Sequence, residues 1–163
     1  MSNLFHVFTD GGRRDSQNPT GVSAWAMVVY DADEMHLGKK SEGFPSAMAV
    51  TNNQAELIAV IKAFQFLDRA AASGVVYTDS AYVCNGLNQW ITGWKANGWR
   101  TSQNKPVKNL DLWQALYKLR TLDVQVQKVK AHTETKTFKG RGNHEADLLC
   151  NVEMDTVELN ERF

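Results

Sequence analysis

At 163 residues, 43% hydrophobic and 22% charged, the chain has the size and composition of one globular domain with a proper core, which excludes a disordered or fibrous polypeptide. Eighteen basic and eighteen acidic residues leave a formal net charge of zero, so any basic surface must be local. Cys84 and Cys150 follow no metal spacing, "MSNLFHVFTD" is no signal peptide, and no apolar run nears the ~20 residues of a bilayer span. Together these predict free thiols in a soluble, cytoplasmic protein with no membrane partner.

Three strand-like runs open the chain. "LFHVFTD" (4–10) is apolar on both faces and ends on Asp10, followed by two glycines, as a strand entering an Asp-Gly turn would. "GVSAWAMVVYD" (21–31) and "EMHLGKKSEGF" (34–44) continue as a meander of hairpins. Leu57, Ile61 and Phe64 recur at helical spacing between about 53 and 72. "GVVYTDS" (74–80) reads as a short buried strand. Helical segments fill 81–120, interrupted near Gly98 and Pro106. "DVQVQKVK" (123–130) is another strand, and "NHEADLLCNVEM" (143–154) begins a final helix. The order β-β-β-α-β-α-β-α predicts an α/β fold: a five-stranded mixed sheet, three antiparallel strands then two parallel, flanked by helices. Sites in such sheets gather at strand ends and adjoining helix starts.

Charge is uneven along this order. Residues 80–110 hold no acid but carry Lys95, Arg100, Lys105 and Lys108, interleaved with Trp90, Trp94 and Trp99. Residues 128–142 set Lys128, Lys130, Lys136, Lys139 and Arg141 against the single acid Glu134.

Four carboxylates stand at element boundaries, and each has a plain structural explanation. Asp10 fits a hairpin turn. Glu56, in "TNNQAEL", fits a capping box with Asn53 as N-cap. Asp79 fits the N-cap of the next helix. Asp147 fits the favourable dipole end of the last helix. Jointly they suggest more. Asp10 and Asp79 would end adjacent parallel strands, with Glu56 and Asp147 beginning helices at the same edge. Four anions sharing a small volume need compensation, which hard divalent cations provide. Two such ions about 4 Å apart clamp the attacking and leaving oxygens of a phosphodiester.

At these residues the sequence resembles a type 1 ribonuclease H of the bacterial kind, over nearly the whole chain. "FTDGG", "TNNQAEL", "YTDSAYVCNGLNQWITGWKANGWRT", "NKPVKNLDLWQ", "VKAHTE" and "NHEADLL" are similar, in order, to that family's motifs. The resemblance implies a ribonuclease H-like fold in which 1–163 form one catalytic domain, with a basic protrusion over about 84–110. It implies cleavage of the RNA strand of RNA/DNA hybrids by two-metal chemistry, leaving 5′-phosphate and 3′-hydroxyl ends. Asp10, Glu56, Asp79 and Asp147 match the carboxylate set, with two Mg²⁺ ions as cofactors and Mn²⁺ a possible substitute. His132 matches the loop histidine that assists proton transfer or product release.

Substrate contacts follow in the same way. Trp94 matches the protrusion tryptophan that meets DNA, with Trp99 beside it, while Trp90 is expected to pack within its helix. Lys95, Arg100, Lys105 and Lys108 are phosphate-contact candidates. Thr51 and Asn109 match residues that grip a DNA phosphate, although Ala49 stands where some relatives have an arginine. Asn52 and Asn53 match minor-groove readers, and Asn52 with Glu56 could contact 2′-hydroxyls. Gly11 and Gly12 would leave room for the substrate backbone. Ala131 replaces a usual glycine, and residues 132–147 look longer than usual, predicting a mobile basic loop with further phosphate contacts. The partner implied is an RNA/DNA hybrid, bound by a monomer. A silent binding module, a purely structural use of each acid, and another nuclease or integrase of this fold are the competing readings. The complete carboxylate set, the tryptophan-rich protrusion and the His132 loop argue for ribonuclease H.

Overall fold

The centre of the molecule is a strand that no side of the sheet leaves open. In the computed structural model, which describes residues 3–16, 19–121, 123–131 and 135–163, β1 (Leu4–Arg13) lies third of five strands. On one flank it pairs antiparallel with β2 (Ser23–Asp31), which pairs antiparallel with β3 (His36–Phe44). On the other flank it pairs parallel with β4 (Ser73–Thr78), which pairs parallel with β5 (Val124–Lys128). This is the predicted five-stranded mixed sheet, in the order β3-β2-β1-β4-β5.

Helices cover both faces. α1 (Asn52–Arg69) buries Leu57, Val60, Phe64 and Leu67 in the larger core, against Val7, Trp25, Met27 and Val76. α4 (Leu110–Leu119) closes that core with Trp113 and Leu116, each 0% exposed. The opposite face is covered by α5 (Phe138–Glu161), which meets Phe8, Tyr30 and Tyr77 through Ala146, and Ala24 and Ala26 through Cys150 and Met154. The small alanines on β2 let the helix come close. Gly142 does the same opposite Phe8, because a Cβ there would lie 2.4 Å from the Phe8 ring. Phe8 itself stacks on Tyr77 with ring centroids 4.3 Å apart.

Between β4 and α4 the chain forms α2 (Ala81–Asn85), a π-helical turn (Gly86–Trp90) and α3 (Ile91–Ala96). Gly86 rests on Trp113, whose ring would be 2.1 Å from a Cβ at that position. The segment then turns at Trp99, with positive φ, and folds back through an Arg100–Pro106 bridge. Among the described residues no helix is long and apolar enough to cross a membrane.

Three boundaries differ from the sequence expectation. β1 does not end in a turn at Asp10-Gly11. It stays in the ladder to Arg13, with Gly11 opposite Trp25 and Arg13 opposite Ser23. α1 is capped by Thr51, not Asn53: Thr51 Oγ1 accepts from the Gln54 amide (3.1 Å) and Gln54 Oε1 accepts from the Thr51 amide (2.9 Å). That capping box releases Glu56 from any capping duty. α5 begins at Phe138, capped by Thr137 Oγ1 accepting from the Gly140 amide, so residues 138–147 are helix rather than mobile loop. Gly142 there serves close packing against Phe8.

Candidate active site

Sheet register brings the first two carboxylates level. β1 and β4 run parallel with Phe8 opposite Tyr77, so two residues further on Asp10 and Asp79 stand side by side. Phe8 and Tyr77 share the cluster beneath α5, and the two-residue period of a strand points Asp10 to the same face. Asp79 lies just past β4, and the helix after it is capped by Ser80 Oγ, which accepts from the Val83 amide. Asp79 therefore has no capping duty either.

Glu56 enters from the other side of the strand. Gly11 lies so close to α1 that a Cβ would be 2.3 Å from the Ala55 carbonyl carbon. The approach lets the Gly11 amide donate to Glu56 Oε1 at 2.7 Å and to Asp10 Oδ1 at 3.0 Å. One backbone N–H thus holds two carboxylates. Gly11 makes room for a helix backbone, not for substrate. Gly12 is less constrained, with Asn52 Oδ1 3.7 Å from a Cβ placed there.

Asp10, Glu56 and Asp79 each offer a carboxylate oxygen within 4.8 Å of the others. Asp147, well inside α5, stands close enough for its charge to act on Asp10. All four line a cleft of about 530 Å³ with Asn52 and Arg14. Asp10 is 7% exposed and Glu56 5%. Burial, then the negative charge of Asp79 and Asp147, pushes the Asp10 carboxyl up to about 8. Burial, then Asp10 and Asp79, holds Glu56 well above the usual carboxylate range. Among the described residues no lysine, arginine or histidine pairs with any of the four. Crowded oxygen ligands, two buried and two half-buried, with no paired basic side chain among the described residues suit a hard divalent cation, and the residues present fit one.

A ribonuclease H family model matches residues 2–154. The chain belongs to the ribonuclease H family. The ribonuclease H of Chromobacterium violaceum is 39% identical over 153 residues, covering 93% of this chain and 95% of its own length. The ribonuclease H of a Cyanothece species is 42% identical over 147 residues, covering 90% and 86%. Among solved structures, the prototype foamy virus protease–reverse transcriptase is similar with a TM-score of 0.77 and 25% identity. There 92% of this chain matches, spanning 20% of the viral chain.

The other residues expected for a ribonuclease H fall into groups. Thr51, Asn52 and Asn53 are exposed at the start of α1. Asn52 Oδ1 accepts from the Arg13 amide at 3.3 Å, which turns its NH₂ away from the strand. Thr51 and Asn109 are joined through Gln54, whose Nε2 donates to Asn109 Oδ1 at 3.2 Å. Asn109 in turn donates to the Tyr82 hydroxyl, which also accepts from Trp113 Nε1. Gln54 and Tyr82 were not singled out from the sequence. The "TNNQ" cap pattern could have revealed Gln54; nothing local marks Tyr82.

On the protrusion, Trp94 is half-buried and edge-on to Trp113 at 5.2 Å, and Trp99 is edge-on to Tyr117 at 5.7 Å. Trp90, expected to pack within its helix, is 40% exposed and leans on Trp94. The π-helical turn shifts the helical phase there, which carries Trp90 outward. Lys95, Arg100, Lys105 and Lys108 are all exposed. His132 lies outside the described residues. Both cysteines are free, as expected, and both are buried.

Proposed function

We propose that this chain is a metal-dependent endonuclease that hydrolyses the RNA strand of RNA/DNA hybrids, leaving 5′-phosphate and 3′-hydroxyl ends. The observation that carries the reading is the set of three carboxylates within 4.8 Å, Asp10 and Glu56 buried and Asp79 half-buried, with Asp147 beside them and no basic side chain paired to any of the four among the described residues, in a chain of this family. Asp10, Glu56, Asp79 and Asp147 would hold Mg²⁺, two ions when substrate is bound, with Mn²⁺ able to replace it. The bound cations would offset the carboxylate repulsion, lower the pKa of the attacking water and neutralise charge developing on the phosphodiester.

The protein's own part is positioning. β1 sets Asp10, the end of β4 sets Asp79 just beyond it, and the Gly11 amide sets Glu56 against Asp10. Water adds to phosphorus, the bond from phosphorus to the 3′-oxygen breaks, and that oxygen leaves with a proton. His132 would assist that proton transfer or product release. The outward NH₂ of Asn52, with Asn53 beside it, suits the RNA minor groove and its 2′-hydroxyls. Thr51 and Asn109, braced by Gln54, would grip a DNA phosphate. Trp94, Trp99, Lys95, Arg100, Lys105 and Lys108 would follow the DNA strand along the protrusion. We read residues 1–163 as one catalytic domain acting as a cytoplasmic monomer.

The test is a cleavage assay on end-labelled RNA/DNA hybrid, double-stranded RNA and double-stranded DNA with Mg²⁺, Mn²⁺ or EDTA. Only the hybrid should be cut, in its RNA strand, and only with metal. Cutting of double-stranded DNA, or cutting in EDTA, would overturn the reading.

A further inference from the structure

Three of the four carboxylates are fixed by the sheet or by a backbone amide. Asp10 sits on β1, Asp79 directly follows the end of the paired strand β4, and Glu56 is held by the Gly11 amide. Asp147 has neither support. It rides on α5, which lies across the sheet. The side chain that reaches it from within the helix is Asn151, one turn further on. Asn151 Nδ2 stands 3.0 Å from the Asp147 carbonyl oxygen and 3.4 Å from Asp147 Oδ1. The two hydrogens of that NH₂ can be given one to each.

The turn that carries Asn151 is itself tied to the sheet. Arg14 Nη2 donates to the Asn151 carbonyl oxygen at 3.1 Å. Its Nη1 pairs with Asp155 Oδ1 at 2.7 Å and with Glu158. One guanidinium therefore grips successive turns of α5. The backbone of Arg14 is pinned in turn: its N–H donates to the Val22 carbonyl at 2.9 Å and its carbonyl accepts from the Gly21 amide at 3.0 Å. A continuous set of hydrogen bonds runs from the β1–β2 connection through Arg14 to Asn151 and Asp147. Arg14, Asn151 and Glu158 line the same cleft as the carboxylates.

We propose that Asn151 is a positioning residue that aims Asp147 at the metal site, and that Arg14 holds the helical turn from which it does so. The inference rests on the reading of Asp147 as a metal ligand. The chemistry suits that role. An amide NH₂ steers a carboxylate while leaving its full negative charge to a cation, whereas a lysine or arginine in its place would compete with the metal. Arg14 does not compete, because Asp155 and Glu158 absorb its charge. Hydrogen-bond partners that orient metal ligands typically change affinity about 10–100-fold when removed.

The test is calorimetric titration of the substrate-free protein with Mn²⁺, beside melting curves in EDTA and steady-state cleavage of hybrid. Asn151→Ala should bind Mn²⁺ about 10-fold more weakly than the wild type. It should melt in EDTA at the same temperature or higher, since alanine favours helix interiors over asparagine. Its kcat should recover as Mn²⁺ is raised, with the KM for hybrid unchanged. Arg14→Met should weaken Mn²⁺ binding in the same direction by a smaller factor. Affinity of Asn151→Ala within twofold of wild type overturns the positioning role. Unchanged affinity in Arg14→Met overturns the clamp. If the wild type itself takes up no Mn²⁺, the metal reading fails with it, an outcome distinct from equal binding by wild type and variants.

Discussion

The Gly11 amide stands 2.7 Å from Glu56 Oε1, and this hydrogen bond is possible because Gly11 has no side chain. A Cβ would fall 2.3 Å from Ala55 carbon and 2.5 Å from the Glu56 nitrogen, both backbone atoms that cannot rotate away. Gly11→Ala must therefore push α1 off β1. We expect a loss of about 3 kcal/mol, the upper end for overpacking, or roughly 10 °C in melting temperature. Gly12→Ala meets only ordinary contacts and should melt within a few degrees of wild type. Thermal denaturation followed by circular dichroism compares the two; equal melting temperatures would show that the strand–helix contact is not tight.

Metal-free stability should fall as pH rises. Asp10 is held at about 8 in the folded chain, chiefly by burial and then by Asp79 and Asp147, against roughly 3.9 in an unfolded one. Glu56 is shifted the same way. For such groups the folded state binds the proton more tightly. Their favourable contribution is complete below about pH 4 and is lost as pH climbs toward about 8. In EDTA the melting temperature should decline from pH 5 to pH 8. Mg²⁺ should reverse that decline, and Asp10→Asn should flatten it. A metal-free melting temperature that rises steadily to pH 8 would contradict the crowded-carboxylate picture.

The N-cap assignment separates Thr51 from Asn53. Thr51→Ala removes the cap of α1 and should cost about 1 kcal/mol as well as raising the KM for hybrid. Asn53→Ala removes no cap and should leave stability within about 0.5 kcal/mol, while still raising KM. Urea unfolding and steady-state kinetics on both variants check this. Equal destabilisation by Asn53→Ala would return the cap to that residue.

The protrusion should contribute affinity through charge. Lys95, Lys105 and Lys108 are exposed and lie in a stretch without acids. Replacing each by alanine should raise KM for hybrid and reduce the slope of log affinity against log salt by about one where a phosphate contact is lost. Trp94→Ala should raise KM and also lower stability, because Trp94 packs edge-on to buried Trp113. Equilibrium binding at several salt concentrations distinguishes the two effects.

Much of this arrangement is legible in the sequence. The alternation and apolar runs of residues 4–44, 74–80 and 123–130 mark five strands, and the order of strands and helices implies the mixed sheet. The motifs carrying Asp10, Glu56, Asp79 and Asp147 mark the site. What was not legible depends on contacts distant in sequence. Asp10-Gly11 looks like a turn because local propensity favours one. It is a strand because Trp25, fourteen residues away, pairs with Gly11 and α1 lies on its open face. Gly140 and Gly142 look like loop residues, yet Gly142 is helical because Phe8 needs the space of its side chain. The bond from Asn151 to Asp147 is local, at helical spacing, but its meaning depends on Arg14 reaching across from the sheet.

The central claim is that the four carboxylates act together on the RNA strand of a hybrid. The most direct measurement is cleavage of end-labelled hybrid at saturating Mg²⁺ by wild type and by Asp10→Asn, with folding of both verified by circular dichroism. The account predicts metal-dependent cutting of RNA to 5′-phosphate and 3′-hydroxyl ends by the wild type, and a loss of at least about 10³-fold in kcat for the folded variant. Cleavage by folded Asp10→Asn at a rate near wild type would contradict it.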